Sequence, residues 1–407
     1  MYKYSVTLFL ATSSTAAFAQ EVDVKPIIDM RIRYEHVDQD NLADDADALT
    51  TRLRAGVEAK SGAFSVLVEG EGTLALVEKY NSGLNGLSSR PIVGDPQNVE
   101  LNRAQLQFRG VPGTVVTLGR QRINLDDQRF VGAVGWRQNE QTFDAARVEW
   151  NPVKSVKLDV TYAWSDRTIW GVDGIGARQQ AVSGDNVFAN LGFKQDGFAL
   201  TGFAYLVDQD EAAVQNYQLS SQTYGVRGSA SVPLGRKATL ALAASYARQS
   251  DYNNNPNDYD ADYWFAEAAL GSGPFKLTGG YEVLGAAGGT ALTSFQTPLA
   301  TLHKFNGAAD KFLTTPANGL RDLYVGASFA PSKFGINGLN AGITWHRFTS
   351  DRLSLDYGDE WDAHIGFKPT KKIAISTKYA RYDTKGGGDF SGDVDTSKFW
   401  LQLDYAY

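Results

Sequence analysis

The chain contains no cysteine. At 407 residues, that excludes a small disulfide-stapled scaffold, and it suits a protein that crosses an oxidising periplasm unfolded. After the first twenty residues there is no run of 18 apolar residues, which excludes helical membrane spans. Histidine is scarce: His36, His303, His346 and His364 are the full set. No Ser-His-Asp signature, zinc-ligand spacing or phosphate-binding glycine loop occurs, so neither a catalytic centre nor a cofactor or metal site is expected. Asp126-Asp127 and Glu69/Glu71 are the carboxylate pairs that could suggest glycoside cleavage. Glu69 and Glu71, two residues apart, share one strand face, as the wall of a barrel requires. The formal net charge of -7 argues against nucleic acid as a partner.

What is present begins with MYKYSVTLFLATSSTAAFAQ. Lys3, the small apolar run from Val6 to Phe18 and Ala17-Phe18-Ala19 predict a secretory signal peptide over 1–19, leaving 20–407 as one mature domain. Apolar and polar residues then alternate with period two. Ile28, Met30, Ile32 and Tyr34 oppose Asp29, Arg31, Arg33 and Glu35, and Leu53, Ala55 and Val57 oppose Arg52, Arg54 and Glu58. Strands wet on one face and apolar on the other read this way. The pattern returns along the chain to Phe399, Leu401, Leu403, Tyr405 and Tyr407. Short turns such as Val111-Pro112-Gly113 and Lys368-Pro369-Thr370 alternate with long loops such as 164–185 and 285–320. With 41 glycines, 19 tyrosines and 8 tryptophans, this rhythm predicts an all-β fold: a transmembrane antiparallel barrel of about 18 strands in the Gram-negative outer membrane, with short periplasmic turns and long extracellular loops. A soluble β-sandwich would show the same alternation, but not the leader, the aromatic strand ends or the rhythm of the turns.

The stretch 101–150 carries Arg103, Arg109, Arg120, Arg122, Arg129, Arg137 and Arg147 and no lysine. By parity Arg31, Arg33, Arg52, Arg54, Arg103 and Arg109 face the lumen. Arg120 and Arg122 share parity with Val116 and Leu118, so their place depends on Gly119. Arginine suits carboxylates because its planar fork binds them bidentately and stays charged, and conduction needs several weak sites in place of one deep one.

Four segments carry a resemblance: EGEGTLALVEKYN (69–81), RPIVGDPQNVELNRAQLQF (90–108), LGRQRINLDDQRFVGAVGWRQNEQTFDAARV (118–148) and FQTPLATLHKFNGAADKFL with GLRDLYVG (295–326). On these the chain resembles the alginate-export outer-membrane channels, specifically over 52–150 and only in general character over 151–296. The resemblance implies a wide antiparallel barrel for an anionic polysaccharide, and pore-lining roles for Arg103, Arg120, Arg122, Asp126, Asp127, Arg129 and Arg137, with Arg321 and Arg347 as looser candidates on the far wall. It implies passive, anion-selective passage of an alginate-like polymer, export favoured. Uptake of uronate oligosaccharides or general anion passage are the alternatives, with a receptor barrel or an enzyme behind them. Outer-membrane lipid, lipopolysaccharide and periplasmic secretion components are the expected partners. The loop 285–320 is long enough either to fold inward as a gate or to cap the rim.

Overall fold

The computed structural model describes residues 21–332 and 334–407; the expected leader lies outside them. Eighteen strands follow one another: β1 (Asp23–Gln39), β2 (Ala46–Ser61), β3 (Phe64–Lys79), β4 (Asn98–Phe108), β5 (Thr114–Gln121), β6 (Thr142–Val153), β7 (Val156–Arg167), β8 (Ala181–Gln195), β9 (Phe198–Val207), β10 (Ser221–Leu234), β11 (Ala238–Asp251), β12 (Asp260–Ser272), β13 (Phe275–Leu284), β14 (Leu320–Phe329), β15 (Asn340–Thr349), β16 (Asp356–Phe367), β17 (Ile373–Asp383) and β18 (Thr396–Ala406). Each pairs antiparallel with its sequence neighbours, and β1 pairs with β18 in register from Asp29↔Ala406 to Gln39↔Thr396. The sheet therefore closes on itself and leaves no edge. The last residue is part of the seam, since the Tyr407 amide donates to the Ile28 carbonyl at 2.9 Å.

The alternation expected from sequence is the inside–outside pattern of this barrel. Ile32 is 42 % exposed on the outer face, while its neighbour Arg33 is 0 % exposed on the inner. Val68 and Glu69 repeat the contrast at 45 % and 1 %. In water such an apolar exterior would be unstable; against lipid it costs nothing. Tyr162 and Trp164 lie side by side on the outer face of β7, 6.4 Å between centroids, as an interfacial aromatic belt requires. The short turns gather at one rim. One of them, Asp196-Gly197 between β8 and β9, uses glycine at φ 72° where a side chain would be strained.

Two long connections do not stay outside. Residues 122–141, between β5 and β6, and 285–319, between β13 and β14, fold into the lumen and meet there. The Gly132 amide donates to Leu299 O at 2.9 Å, and the Gln141 side chain to Leu299 O at 3.0 Å. Ile123, Leu125, Val131, Phe295, Leu299 and Phe312 are buried together with lumen-facing Phe143, Phe188, Tyr263 and Phe348. The largest apolar core of the protein thus lies inside the barrel, and it is built by the loops. Of the two courses open to the 285–319 segment, it takes the inward one. The inward course of 122–141 departs from the expectation that the arginine stretch is continuous wall.

Candidate functional site

The inner faces of β1 to β4 present Arg31, Arg33, Glu35, Arg52, Arg54, Glu69, Glu71, Asn102 and Arg103 to the 122–141 loop. Arg31 donates to the carbonyls of Gly135 and Trp136 at 3.1 and 2.9 Å and pairs with Asp404 at 2.8 Å. Arg33 donates to Trp136 O at 2.6 Å, and its guanidinium lies 4.0 Å from the Trp136 ring centre. Arg52 pairs with Asp29, and Arg54 with Glu71 and with Glu140 at 3.1 Å. Glu140 also accepts from Asn102 at 2.7 Å and from Arg122 at 2.9 Å. Burial alone would push the Glu140 carboxyl up; Arg54 and Arg122 outweigh it and hold the group below the usual carboxylate range.

This arrangement corrects the expectation that the arginines are stepping stones along an open pore. Arg33, Arg52, Arg54 and Arg129 are at most 5 % exposed, and a passing solute cannot reach them. They are spent on carbonyls and carboxylates that seat the loop, because a buried guanidinium must find acceptors for its donors. Arg129 shows the same use across the lumen. It pairs with Glu282 at 2.7 Å and donates to Thr297 and Asn306 at 3.2 and 3.1 Å, tying the two inward loops to β13. Arg103 faces the lumen and is held by Glu69 at 2.7 Å. A register shift between Glu69 and Gly70 lets Asn102 and Arg103 both turn inward. Arg109 sits exposed at the rim of the short turns, donating to the Ser65 hydroxyl at 3.2 Å.

Gly119 has φ 108°, yet the β4–β5 and β5–β6 registers run through it without a shift. Arg120 therefore keeps the parity of Leu118 and lies on the outer face, where it grips Asp144 bidentately at 2.8 and 2.9 Å. The strand ends at Gln121, so Arg122 escapes parity and turns inward to Glu140. Arg321 and Arg347 share parity with the exposed Leu323 and Ile343, so they too are on the outer face; they pair with Asp351 at 3.0 Å and with Asp359 at 3.0 Å. These three are corrections to the expected pore lining, and in each case strand register decides.

Below the inward loops opens a cavity of about 810 Å³. Its charged lining comprises Asp127, Arg227, Glu267, Lys276, Glu282, His303, Lys304, Asp322, His346, Asp362, His364 and Lys378. The carboxylates are engaged: Asp127 with Arg227 at 2.7 Å, Glu282 with Arg129, Asp322 with His346 at 2.9 Å, Asp362 with His346 at 3.7 Å, and Glu267 accepting from the Tyr324 hydroxyl at 2.7 Å. Among the described residues, Lys276, Lys304 and Lys378 have no carboxylate partner. Asp126 is held by Asn190 at 2.9 Å, and burial raises its carboxyl.

On the other side of the loops lies a smaller cavity of about 280 Å³, lined by Arg137, Asp166, Trp170, Gln179, Asp310 and Leu313 among others. His303 borders both. It stacks on Trp136 with centroids 4.1 Å apart. Its Nδ1 lies 2.7 Å from Asp310 and its Nε2 2.8 Å from the Lys378 ammonium. Because Lys378 has only protons to give, Nε2 accepts and Nδ1–H donates to Asp310: the ring is neutral, and burial lowers its pKa to about 3. Trp136, Lys378 and Lys398 are site residues that no pattern in the sequence singled out; the strand parity of Lys378 was the available signal.

With this geometry in view, the comparisons fit. Residues 25–166 match the family model described as alginate export. The whole chain superposes on Pseudomonas aeruginosa OccK1 (OpdK), at 14 % identity over 95 % of this chain and 98 % of that one, TM-score 0.67. Acinetobacter baumannii OccAB1 gives 12 % identity, 94 % and 96 % coverage and TM-score 0.70, and P. aeruginosa OpdK with vanillate 13 %, 95 %, 98 % and 0.68. No curated protein matches the sequence. The resemblance to the alginate-export family thus holds over 25–166, and the protein is a porin-type barrel of the Gram-negative outer membrane.

Proposed function

We propose that this barrel is a selective channel for small carboxylate-bearing solutes, uronate oligosaccharides in the first place, with the open lysines of the inner cavity supplying anion preference. The observation that carries this reading is the pairing around the 810 Å³ cavity, where each carboxylate has a cationic, imidazole or hydroxyl partner while Lys276, Lys304 and Lys378 have no carboxylate partner, Lys304 donating to the Asp127 carbonyl and Lys378 to His303 Nε2. The lining holds five carboxylates against Arg227 and three lysines, so the anion preference rests on lysines that no carboxylate pairs and not on a net positive charge. Flexible lysines with weak individual grip suit passage better than fixed, buried arginines. The inward loops favour short oligomers over a continuous polymer, so uptake is preferred here to export. The match of 25–166 to the alginate-export model supports the uronate class and keeps polymer export as the second reading.

Planar-bilayer reversal potentials and proteoliposome swelling test the proposal. Chloride should be preferred to potassium, and glucuronate and short uronate oligomers should enter liposomes faster than neutral sugars of equal size. Cation preference, or equal rates for acidic and neutral sugars, would overturn it. Passage of long alginate chains would favour the export reading.

A further inference from the structure

The Asp310 carboxylate is surrounded by donors from three parts of the chain. Arg137 Nη2 reaches it from the 122–141 loop at 3.0 Å, Lys398 Nζ from β18 at 3.1 Å, and His303 Nδ1 from its own loop at 2.7 Å. These groups hold the carboxyl well below its ordinary range in spite of burial. The site has more donors than Asp310 uses. Arg137 Nη1 faces the buried Glu35 carboxylate at 3.5 Å, while the indole N–H groups of Trp136 and Trp400 are buried without an acceptor, and both indoles pack around His303. Buried donors are normally satisfied, so this cluster is built for a larger oxygen-rich occupant than one aspartate. In the segment that carries Asp310, Asn306 and Asp310 sit at φ 55° and 59°, a region that non-glycine residues enter at a cost. Asp310 borders the outer cavity, and His303 borders both cavities.

We propose that Arg137, Lys398 and His303 form a carboxylate seat at the constriction, that Asp310 fills it as an internal surrogate, and that the carboxylate of an acidic sugar arriving from the outer cavity displaces Asp310 and frees the segment around His303. The inference rests on the uronate reading for its ligand, but not for its latch. Exchange of one carboxylate for another preserves the charge-assisted hydrogen bonds of Arg137 and Lys398, so an acidic solute opens the path where a neutral one leaves those cations unpaired. The sugar hydroxyls meet the spare indole donors of Trp136 and Trp400.

The test is single-channel recording of the full chain in planar bilayers, with glucuronate and glucose as probes. Wild type should show low conductance that rises with glucuronate and not with glucose. Asp310→Asn should conduct at the raised level without any sugar, and should lose the glucuronate response. Lys398→Gln, which weakens seat and latch alike, should raise the sugar-free open probability roughly tenfold, the loss of one hydrogen bond from Asp310 to a charged group, while the glucuronate needed for half response changes by no more than about twofold. An unchanged baseline in Asp310→Asn, or opening of wild type by glucose, overturns the proposal. If Asp310→Asn does not form a heat-resistant barrel, an unchanged sugar-free baseline in Lys398→Gln overturns it instead. A raised baseline in Asp310→Asn with no uronate passage in wild type would keep the latch and remove the uronate reading.

Discussion

Trp136 lies flat on His303, 8° from parallel, and so joins the two inward loops at the narrowest part of the lumen. The same indole carries cations on its face: the Arg33 guanidinium at 4.0 Å and the Lys378 ammonium at 4.2 Å from the ring centre. Each such contact is worth about 2 kcal/mol when desolvated.

Trp136→Ala removes the stack, both cation contacts and the volume that separates the cavities. Local packing should weaken by about 3–5 kcal/mol. The expected result is a larger and noisier single-channel conductance, with faster protease cleavage in 122–141, while the barrel stays resistant to heat on a gel.

Glu140 anchors the same loop to the wall through Arg54, Asn102 and Arg122. Glu140→Gln leaves Arg122 without its carboxylate and weakens the hold on Arg54, a loss of about 3 kcal/mol for a broken buried pair. The temperature at which the barrel loses its compact gel mobility should fall. Adding Arg122→Gln should recover part of the loss, because removing both partners costs less than removing one.

Lys304→Glu together with Lys276→Glu reverses two of the three open charges of the inner cavity. Anion-over-cation permeability should drop roughly tenfold, equivalent to ~1.4 kcal/mol, read as a shift in reversal potential under a KCl gradient. Arg120→Ala is the matching control. Its pair with Asp144 is on the outer face, so conductance and selectivity should not move and stability should change by less than about 1 kcal/mol. A shifted reversal potential in Arg120→Ala would contradict that placement.

His303 sets an acid limit. Its proton affinity is depressed by burial from 6.5 to about 3, against the attraction of Asp310 and with Lys378 and Arg137 opposing a further charge. A free ring binds a proton below pH 6.5 and the packed one does not, so the packed loop loses stability as pH falls from about 6.5 toward 3. Above 6.5 both rings are neutral and the contribution is flat. Open probability should rise over that acid window, and His303→Gln should flatten the dependence.

Much of this architecture is legible from residue order alone. Ile32 beside Arg33 and Val68 beside Glu69 specify which way each strand faces, and repeated along the chain they specify a closed barrel. The interior is less legible. Residues 122–141 carry an abundance of arginine that reads as wall, yet a wall strand would keep its alternation, and this segment has Asp126, Gln128 and Val134 at positive φ. Its course is set by partners far away in sequence, Glu35, Arg54, Leu299 and Asp310, and no local pattern names them. Arg321 and Arg347 fail for the opposite reason: family resemblance placed them in the pore, while their own parity with Leu323 and Ile343 already placed them outside.

The outward pair Arg120–Asp144 lies beside Ser165, next to Trp164, in the β6–β7 register, and thus marks the waterline of the outer leaflet. Two residues further on, Arg122 has already turned into the lumen. The constriction therefore hangs from the outer leaflet, with a mouth of about 280 Å³ above it and a vestibule of about 810 Å³ below. Such a conduit is electrically lopsided: its constriction lies nearer one end, and ions enter its two ends against unequal access resistance. Current through it should rectify, and the sense of rectification reports which way round each barrel has inserted.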